Sequence, residues 1–162
     1  MDHKYFAYGS NLVIERITER IGKVKFLGST SLENWGIRFN KLGKDGTGKC
    51  NILKIQGEVI YGVIYEISPA QKRKLDEFEQ GYETITLKIP LIGKCISYSA
   101  HDISNETVSS PFDWYKALVV TGAKKRGLPA SYISRLQEQK TIIDPNHERR
   151  TKNLKVFDDL NT

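Results

Sequence analysis

Residues 4–8 alternate weakly between polar and apolar and include Tyr5, Phe6 and Tyr8, which predicts a short strand. Gly9-Ser10-Asn11 interrupts it. Leu12, Ile14, Ile17 and Ile21 then recur at mixed helical spacings, with Glu15, Arg16, Glu19 and Arg20 between them. That pattern predicts a short amphipathic helix, with Ser10 or Asn11 as its N-cap. Residues 23–65 are sheet-rich. The segment Gly43 to Gly48 contains an Asp45-Gly46 pair and reads as a turn or mobile loop, and Gln56-Gly57-Glu58 reads as a second turn. Val59-Ile60-Tyr61-Gly62-Val63-Ile64-Tyr65 is apolar on both faces, as a central strand is. Gly62 inside it predicts a bend or the close approach of another backbone.

Ser68-Pro69-Ala70-Gln71 is a helix start: Ser68 caps, Pro69 takes the first helical position and Gln71 completes a capping box. The helix is expected to reach about Glu79, with Leu75 and Phe78 turned inward, and Gly81 breaks it. Tyr82 to Pro90 and Lys94 to His101 form a predicted hairpin around Leu91-Ile92-Gly93. Pro111 opens another helix, with Trp114, Ala117 and Leu118 towards the core and Gly127 as its stop. Pro129 starts the next, with Tyr132, Ile133 and Leu136 on one face. Strands and helices do not alternate regularly, which argues against a doubly wound parallel sheet. The expected fold is α+β, a domain over 1–145 with a largely antiparallel, strongly bent or closed sheet. A polar tail over 146–162, partly helical, is expected to fray.

Composition narrows the class. With 162 residues, 39% of them hydrophobic and 27% charged, the chain is long enough to bury one core and too apolar for general disorder. Its longest apolar runs, such as Ala117-Leu118-Val119-Val120, fall far short of the roughly 18 residues that cross a bilayer. Met1 to Tyr5 has no signal-peptide layout, so a cytoplasmic protein without membrane contact is expected. Cys50 and Cys95 make no disulfide framework and read as small apolar strand residues. The net charge of +6 permits anionic ligands. The basic clusters Lys72-Arg73-Lys74, Lys124-Lys125-Arg126 and Arg149-Arg150-Thr151-Lys152 are dispersed and have no aromatic residues interleaved, so nucleic acid is not an expected partner.

Two segments carry chemistry. Tyr8-Gly9-Ser10-Asn11 joins a strand to a helix. A glycine there allows positive φ, successive N–H groups can converge on one point, and a helix start adds partial positive charge. Such a loop suits a carboxylate or phosphate; it also serves as a plain turn and cap. In Leu75-Asp76-Glu77-Phe78-Glu79, Glu79 sits at a helix C-terminus, where the dipole disfavours its charge. If it is also desolvated, its pKa rises towards the range useful for proton transfer; a charged surface helix is the alternative. His3, His101 and His147 are scattered, so no metal site is expected. Ser10 has no visible His/Asp partners for a hydrolase. Gly46-Thr47-Gly48-Lys49 lacks the full phosphate-loop pattern.

In order along the chain, three blocks resemble the gamma-glutamylcyclotransferase family, including its AIG2-like members. They are Tyr5-Phe6-Ala7-Tyr8-Gly9-Ser10-Asn11-Leu12; Gly57 to Tyr65 followed by Leu75-Asp76-Glu77-Phe78-Glu79; and Tyr115-Lys116 followed by Gly122-Ala123-Lys124 and Gly127-Leu128-Pro129. The resemblance implies a small, mixed, β-barrel-like sheet flanked by helices, with one pocket. It implies conversion of a small-molecule γ-glutamyl substrate to 5-oxoproline and a free amine or amino acid, without a cofactor, by a monomer or homodimer. It places Glu79 on the family's general acid/base and Tyr8-Gly9-Ser10-Asn11 on its carboxylate cradle, with Tyr5, Phe6 and Ala7 leading in. Tyr82, Tyr98 and Tyr115 fall near pocket tyrosines. Gln80 stands where many members carry glycine, and the stretch after Glu79 is shorter than in eukaryotic members. The alternatives are a binding module for γ-glutamyl or carboxylate ligands that keeps the pocket without the reaction, and a cyclotransferase that removes a γ-glutamyl protecting group from a biosynthetic intermediate.

Overall fold

The computed structural model describes residues 1–100 and 108–160. Among these residues, five strands form one sheet in the order β2-β3-β1-β5-β4. They are β1 (His3–Ala7), β2 (Lys25–Leu42), β3 (Gly48–Ile67), β4 (Glu83–Ile89) and β5 (Gly93–Ser99). β1 pairs antiparallel with β3, placing Tyr5 opposite Tyr65, and parallel with β5 at Tyr5 and Ile96. The other pairings are antiparallel. The α+β expectation, with a mixed and largely antiparallel sheet, therefore holds. β2 and β4 are its outer strands, and register shifts bend the long β2–β3 pair.

One of those shifts corrects the reading of Gln56-Gly57-Glu58 as a turn. β3 runs continuously through these residues, and the ladder passes from Glu33–Val59 to Trp35–Lys54 across a bulge. Gly57 takes φ 83° there and donates its N–H to the Asn34 side-chain oxygen at 3.0 Å. Turn residues and bulge residues have the same backbone requirement, which is why the pattern alone reads either way. The hairpin around Leu91 lies where expected, although His101 falls outside the described residues.

The core explains the position of the site. Phe6, Ala7, Ile52, Ile60 and Val63 are wholly buried, and β1 runs antiparallel beside β3. Gly62 allows the end of β1 to lie close: a Cβ there would overlap the Ala7 carbonyl oxygen and lie 2.7 Å from the Phe6 ring. Beyond β1 the chain makes a single 3-10 turn at Ser10–Leu12 and enters α1 (Ile14–Ile21), which buries Ile17 and Ile21. Neither Ser10 nor Asn11 caps α1. Val13 occupies the cap position without a side-chain hydrogen bond, because the intervening 3-10 turn moves the helix start forward.

α2 (Pro69–Phe78) begins with the predicted reciprocal capping box between Ser68 and Gln71 and buries Leu75. Phe78 departs from expectation. It is 53% exposed, and the Arg20 guanidinium covers its ring at 5.3 Å. As the last helical residue it lies where α2 leaves the core. Gly81 then takes φ 84° and turns the chain into β4.

α3 (Asp113–Lys125) buries Trp114 and Leu118, with Ala117 partly covered, and Gly127 follows its end at φ 65°. α4 (Ala130–Gln137) buries Tyr132 and Leu136. The polar tail forms α5 (His147–Leu160). Its first turns are anchored by Arg149 on buried Asp144, with two contacts at 2.6 Å, and by Arg150 on Asp113 at 2.6 Å. These pairs give a mostly polar segment a place to dock that its hydrophobic pattern does not reveal. No helix among the described residues is long and apolar enough to cross a membrane.

The close β1–β3 contact at Gly62 gives a stability prediction. Gly62→Ala is expected to lower the unfolding free energy by about 1–3 kcal/mol, the usual cost of overpacking a rigid contact. A urea titration checks this, as a lower midpoint at unchanged slope; an unchanged midpoint contradicts it.

Candidate active site

The end of β1, the 3-10 turn and the end of α2 converge on one cavity of about 280 Å³. Tyr5, Tyr8, Gly9, Ser10 and Asn11 form one side and Glu79 another. Gly9 has φ −105°, so positive φ is not what selects glycine. A Cβ there would lie 3.1 Å from the Cys50 Cβ; the missing side chain lets β3 pack directly behind the loop. The turn is fixed by Tyr65, whose hydroxyl donates to the Asn11 carbonyl at 2.9 Å, and by Arg16, whose Nε donates to the Ser10 hydroxyl at 3.0 Å.

Asn11 links the loop to the carboxylate. Its amide nitrogen donates to Glu79 Oε1 at 3.2 Å and to the Tyr5 hydroxyl at 3.1 Å. Its oxygen accepts from Arg20 at 3.3 Å, and the same arginine nitrogen lies 3.8 Å from Glu79. The Glu79 side chain is 15% exposed. Burial raises its pKa above the ordinary 4.5, against the pull of Arg20, Arg16, the Asn11 hydrogen bond and Lys41. Asp76, one turn earlier, goes the other way. Burial opposes its charge, but hydrogen bonds from Lys72 at 2.7 Å and the Tyr98 hydroxyl at 2.7 Å outweigh it and lower its pKa.

Comparison with known proteins shows the family. Residues 59–136 match the AIG2-like family. The chain is 33% identical to Gamma-glutamylcyclotransferase from Homo sapiens over 152 residues, spanning 88% of this chain and 79% of the human one. The Mus musculus protein of that name is equally similar, at 33% over the same extent. This chain belongs to the gamma-glutamylcyclotransferase family. A solved structure described as Gamma-glutamyl cyclotransferase superposes with a TM-score of 0.82 at 26% identity, covering 96% of this chain and 99% of that one.

Against this family background, the expected site residues divide into two groups. Tyr5, Tyr8, Gly9, Ser10, Asn11, Glu79, Tyr82, Tyr98 and Tyr115 line the same cavity. Phe6 and Ala7 do not: both are wholly buried in the core and support the loop from behind. Several tyrosines already have partners. Tyr8 donates to the Tyr98 carbonyl at 2.5 Å, Tyr82 donates to the Cys50 carbonyl at 2.7 Å, and Tyr115 accepts from the Cys50 N–H at 3.0 Å. Burial raises the pKa of each of these three phenols, which keeps them neutral. Tyr5 is also raised, first by burial and then by the neighbouring Glu79 charge.

The cavity wall also contains Arg16, Arg20, Lys41, Lys44 and Lys49, against the carboxylates Glu77 and Glu79. Excess positive charge over a confined space attracts an anionic ligand. Sequence reading treats Arg16 and Arg20 as the polar side of a surface helix. Their spacing of four residues, on a helix that leaves directly from the loop, is the signal that could have drawn them in. Lys41 and Lys49 are brought in by the β2–β3 hairpin. Lys41 stacks 4.8 Å from the Tyr82 ring, and Lys49 pairs with Asp45 at 2.9 Å beneath the Tyr115 ring.

The buried carboxylate has a stability signature. A raised folded-state pKa destabilises the fold as pH climbs from the ordinary 4.5 through the folded value. Glu79→Gln is therefore expected to unfold at a higher temperature than wild type at neutral pH, with the gain disappearing on acidification below the ordinary value. Thermal unfolding across pH checks this; a destabilised variant at neutral pH contradicts it.

Proposed function

We propose that this chain converts a γ-glutamyl amino acid or amine to 5-oxoproline and the free amino acid or amine. The observation that carries this reading is the shared cavity, in which Asn11 couples the turn after β1 to the buried Glu79 carboxyl. The reaction is intramolecular. The substrate's α-nitrogen attacks its own γ-carbonyl carbon, a five-membered ring closes, and the bond to the leaving nitrogen breaks. Nucleophile and electrophile belong to one molecule, so the protein's main task is to hold the glutamyl chain folded.

In this reading the N–H groups of Gly9, Ser10 and Asn11 hold the substrate α-carboxylate at one end of the chamber, favoured by the surrounding cations. The α-amine is mostly protonated near neutrality and must lose a proton before it attacks. Ionised Glu79 accepts that proton and gives it to the departing nitrogen; the second proton, shed by the ring nitrogen as the lactam forms, passes through the same carboxyl to the released amine, so the carboxyl ends as it began. A carboxyl with a raised pKa is better matched to both halves of this exchange than an ordinary glutamate. The Tyr5 hydroxyl, which accepts from Asn11, retains its own hydrogen for the γ-carbonyl oxygen, where negative charge develops. Tyr82, Tyr98 and Tyr115 shape the walls.

Replacing the carboxyl with an amide preserves shape and removes the proton exchange. Glu79→Gln is expected to lower kcat by about 10²–10⁴-fold, the usual contribution of general acid–base catalysis, with KM little changed. Release of 5-oxoproline from a panel of γ-glutamyl amino acids measures it. Turnover at the wild-type rate in the variant contradicts the assignment.

A further inference from the structure

A second cavity, of about 510 Å³, adjoins the first and shares Arg16, Arg20 and Phe78 with it. Its opposite side comes from α5, through Arg149 and Lys152. The three arginines differ in how their charge is met. Arg20 faces Glu79 and Asn11. Arg149 is held by Asp144 through two short contacts. Arg16 has no carboxylate within ion-pair distance among the described residues. Its Nε is bound to the Ser10 hydroxyl, which leaves both terminal nitrogens for another partner.

The surroundings of Arg16 favour an anion. Burial, and next the charge of Arg20, pull its pKa down to about 10. Two guanidinium groups side by side in a partly desolvated wall are relieved by an arriving negative charge, and the planar fork of arginine suits a carboxylate. The carboxylates of the cleft, Glu19 and Glu148, are exposed. Lys152 adds a further cation on the α5 side.

We infer that the second cavity is a leaving-group subsite for a carboxylate carried beyond the bond that breaks, with Arg16 as its anchor. This rests on the cyclisation reading, which sets the γ-glutamyl bond beside Glu79 and leads the leaving group across the wall formed by Arg16 and Phe78. The chain then prefers γ-glutamyl compounds with an additional acidic group. That carboxylate comes either from an acidic side chain on the leaving amino acid or from the C-terminus of a leaving dipeptide.

Two matched pairs test the inference and separate the sources: γ-glutamyl-glutamate against γ-glutamyl-glutamine, and γ-glutamyl-glycyl-glycine against its C-terminal amide. The readout is the ratio of kcat/KM within each pair, in which the fraction of active protein cancels. Wild type is expected to favour the charged member of at least one pair by about tenfold or more, the worth of one charged hydrogen bond. Arg16→Gln is expected to bring that ratio close to one. Should Arg16→Gln not fold, Lys152→Glu on the exposed face of α5 is expected to lower the same ratio.

Calorimetric binding of the same pairs to Glu79→Gln gives the ratio without turnover. No 5-oxoproline from any compound, together with an Arg16-dependent charge preference in binding, removes the cyclisation reading and keeps the subsite. A ratio near one in wild type for both pairs overturns the subsite. So does a preference that survives Arg16→Gln, or Lys152→Glu where the arginine variant does not fold.

Discussion

The site depends on one side-chain amide. Asn11 leaves the turn after β1 and reaches the end of α2, where it donates to Glu79 while accepting from Arg20. Without that bridge, a carboxylate on the C-cap of one helix and a turn far away in sequence would merely border the same space. The same amide nitrogen also donates to the Tyr5 hydroxyl, so strand, turn and helix end are held in one hydrogen-bonded network. The architecture exists to support this meeting point. Gly62 lets β1 lie close on β3, Gly9 lets Cys50 lie close behind the turn, and Gly81 returns the chain from Glu79 into β4.

The electrostatic design sets two tendencies against each other. Burial makes the Glu79 charge costly, and the nearby cations make it cheaper; burial wins by enough to raise the pKa. Asp76 occupies the same helix and has the opposite outcome, because Lys72 and Tyr98 bind it directly. Of these two carboxylates, only Glu79 has its pKa raised. Such an arrangement detracts from folding stability, as functional sites commonly do.

Much of this was legible in the sequence, and the reasons it was legible are local. Ser68-Pro69-Ala70-Gln71 specifies a helix start through its own hydrogen bonds, which in turn locates Glu79 at the helix end. Gly62 within an apolar strand announces the close approach of another backbone. What the pattern missed depends on contacts distant in the chain. Phe78 belongs to an apolar spacing yet is covered by Arg20 instead of the core. The tail is polar, and its docking relies on Asp144 and Asp113, which no periodicity connects to Arg149 and Arg150. Phe6 and Ala7 share the motif with the turn, but they lie on an interior strand, flanked by β3 and β5, and both are wholly buried. Arg16 and Lys49 reach the cavity only once α1 and the β2–β3 hairpin have folded around it.

The central claim is that a single buried carboxyl remains chargeable while its surroundings favour the proton. A ¹³C NMR titration of labelled glutamate carboxyls, with the Glu79 signal assigned by its loss in Glu79→Gln, addresses that directly. Glu79 is expected to titrate above the ordinary value of 4.5. A Glu79 signal that titrates at or below that value contradicts it.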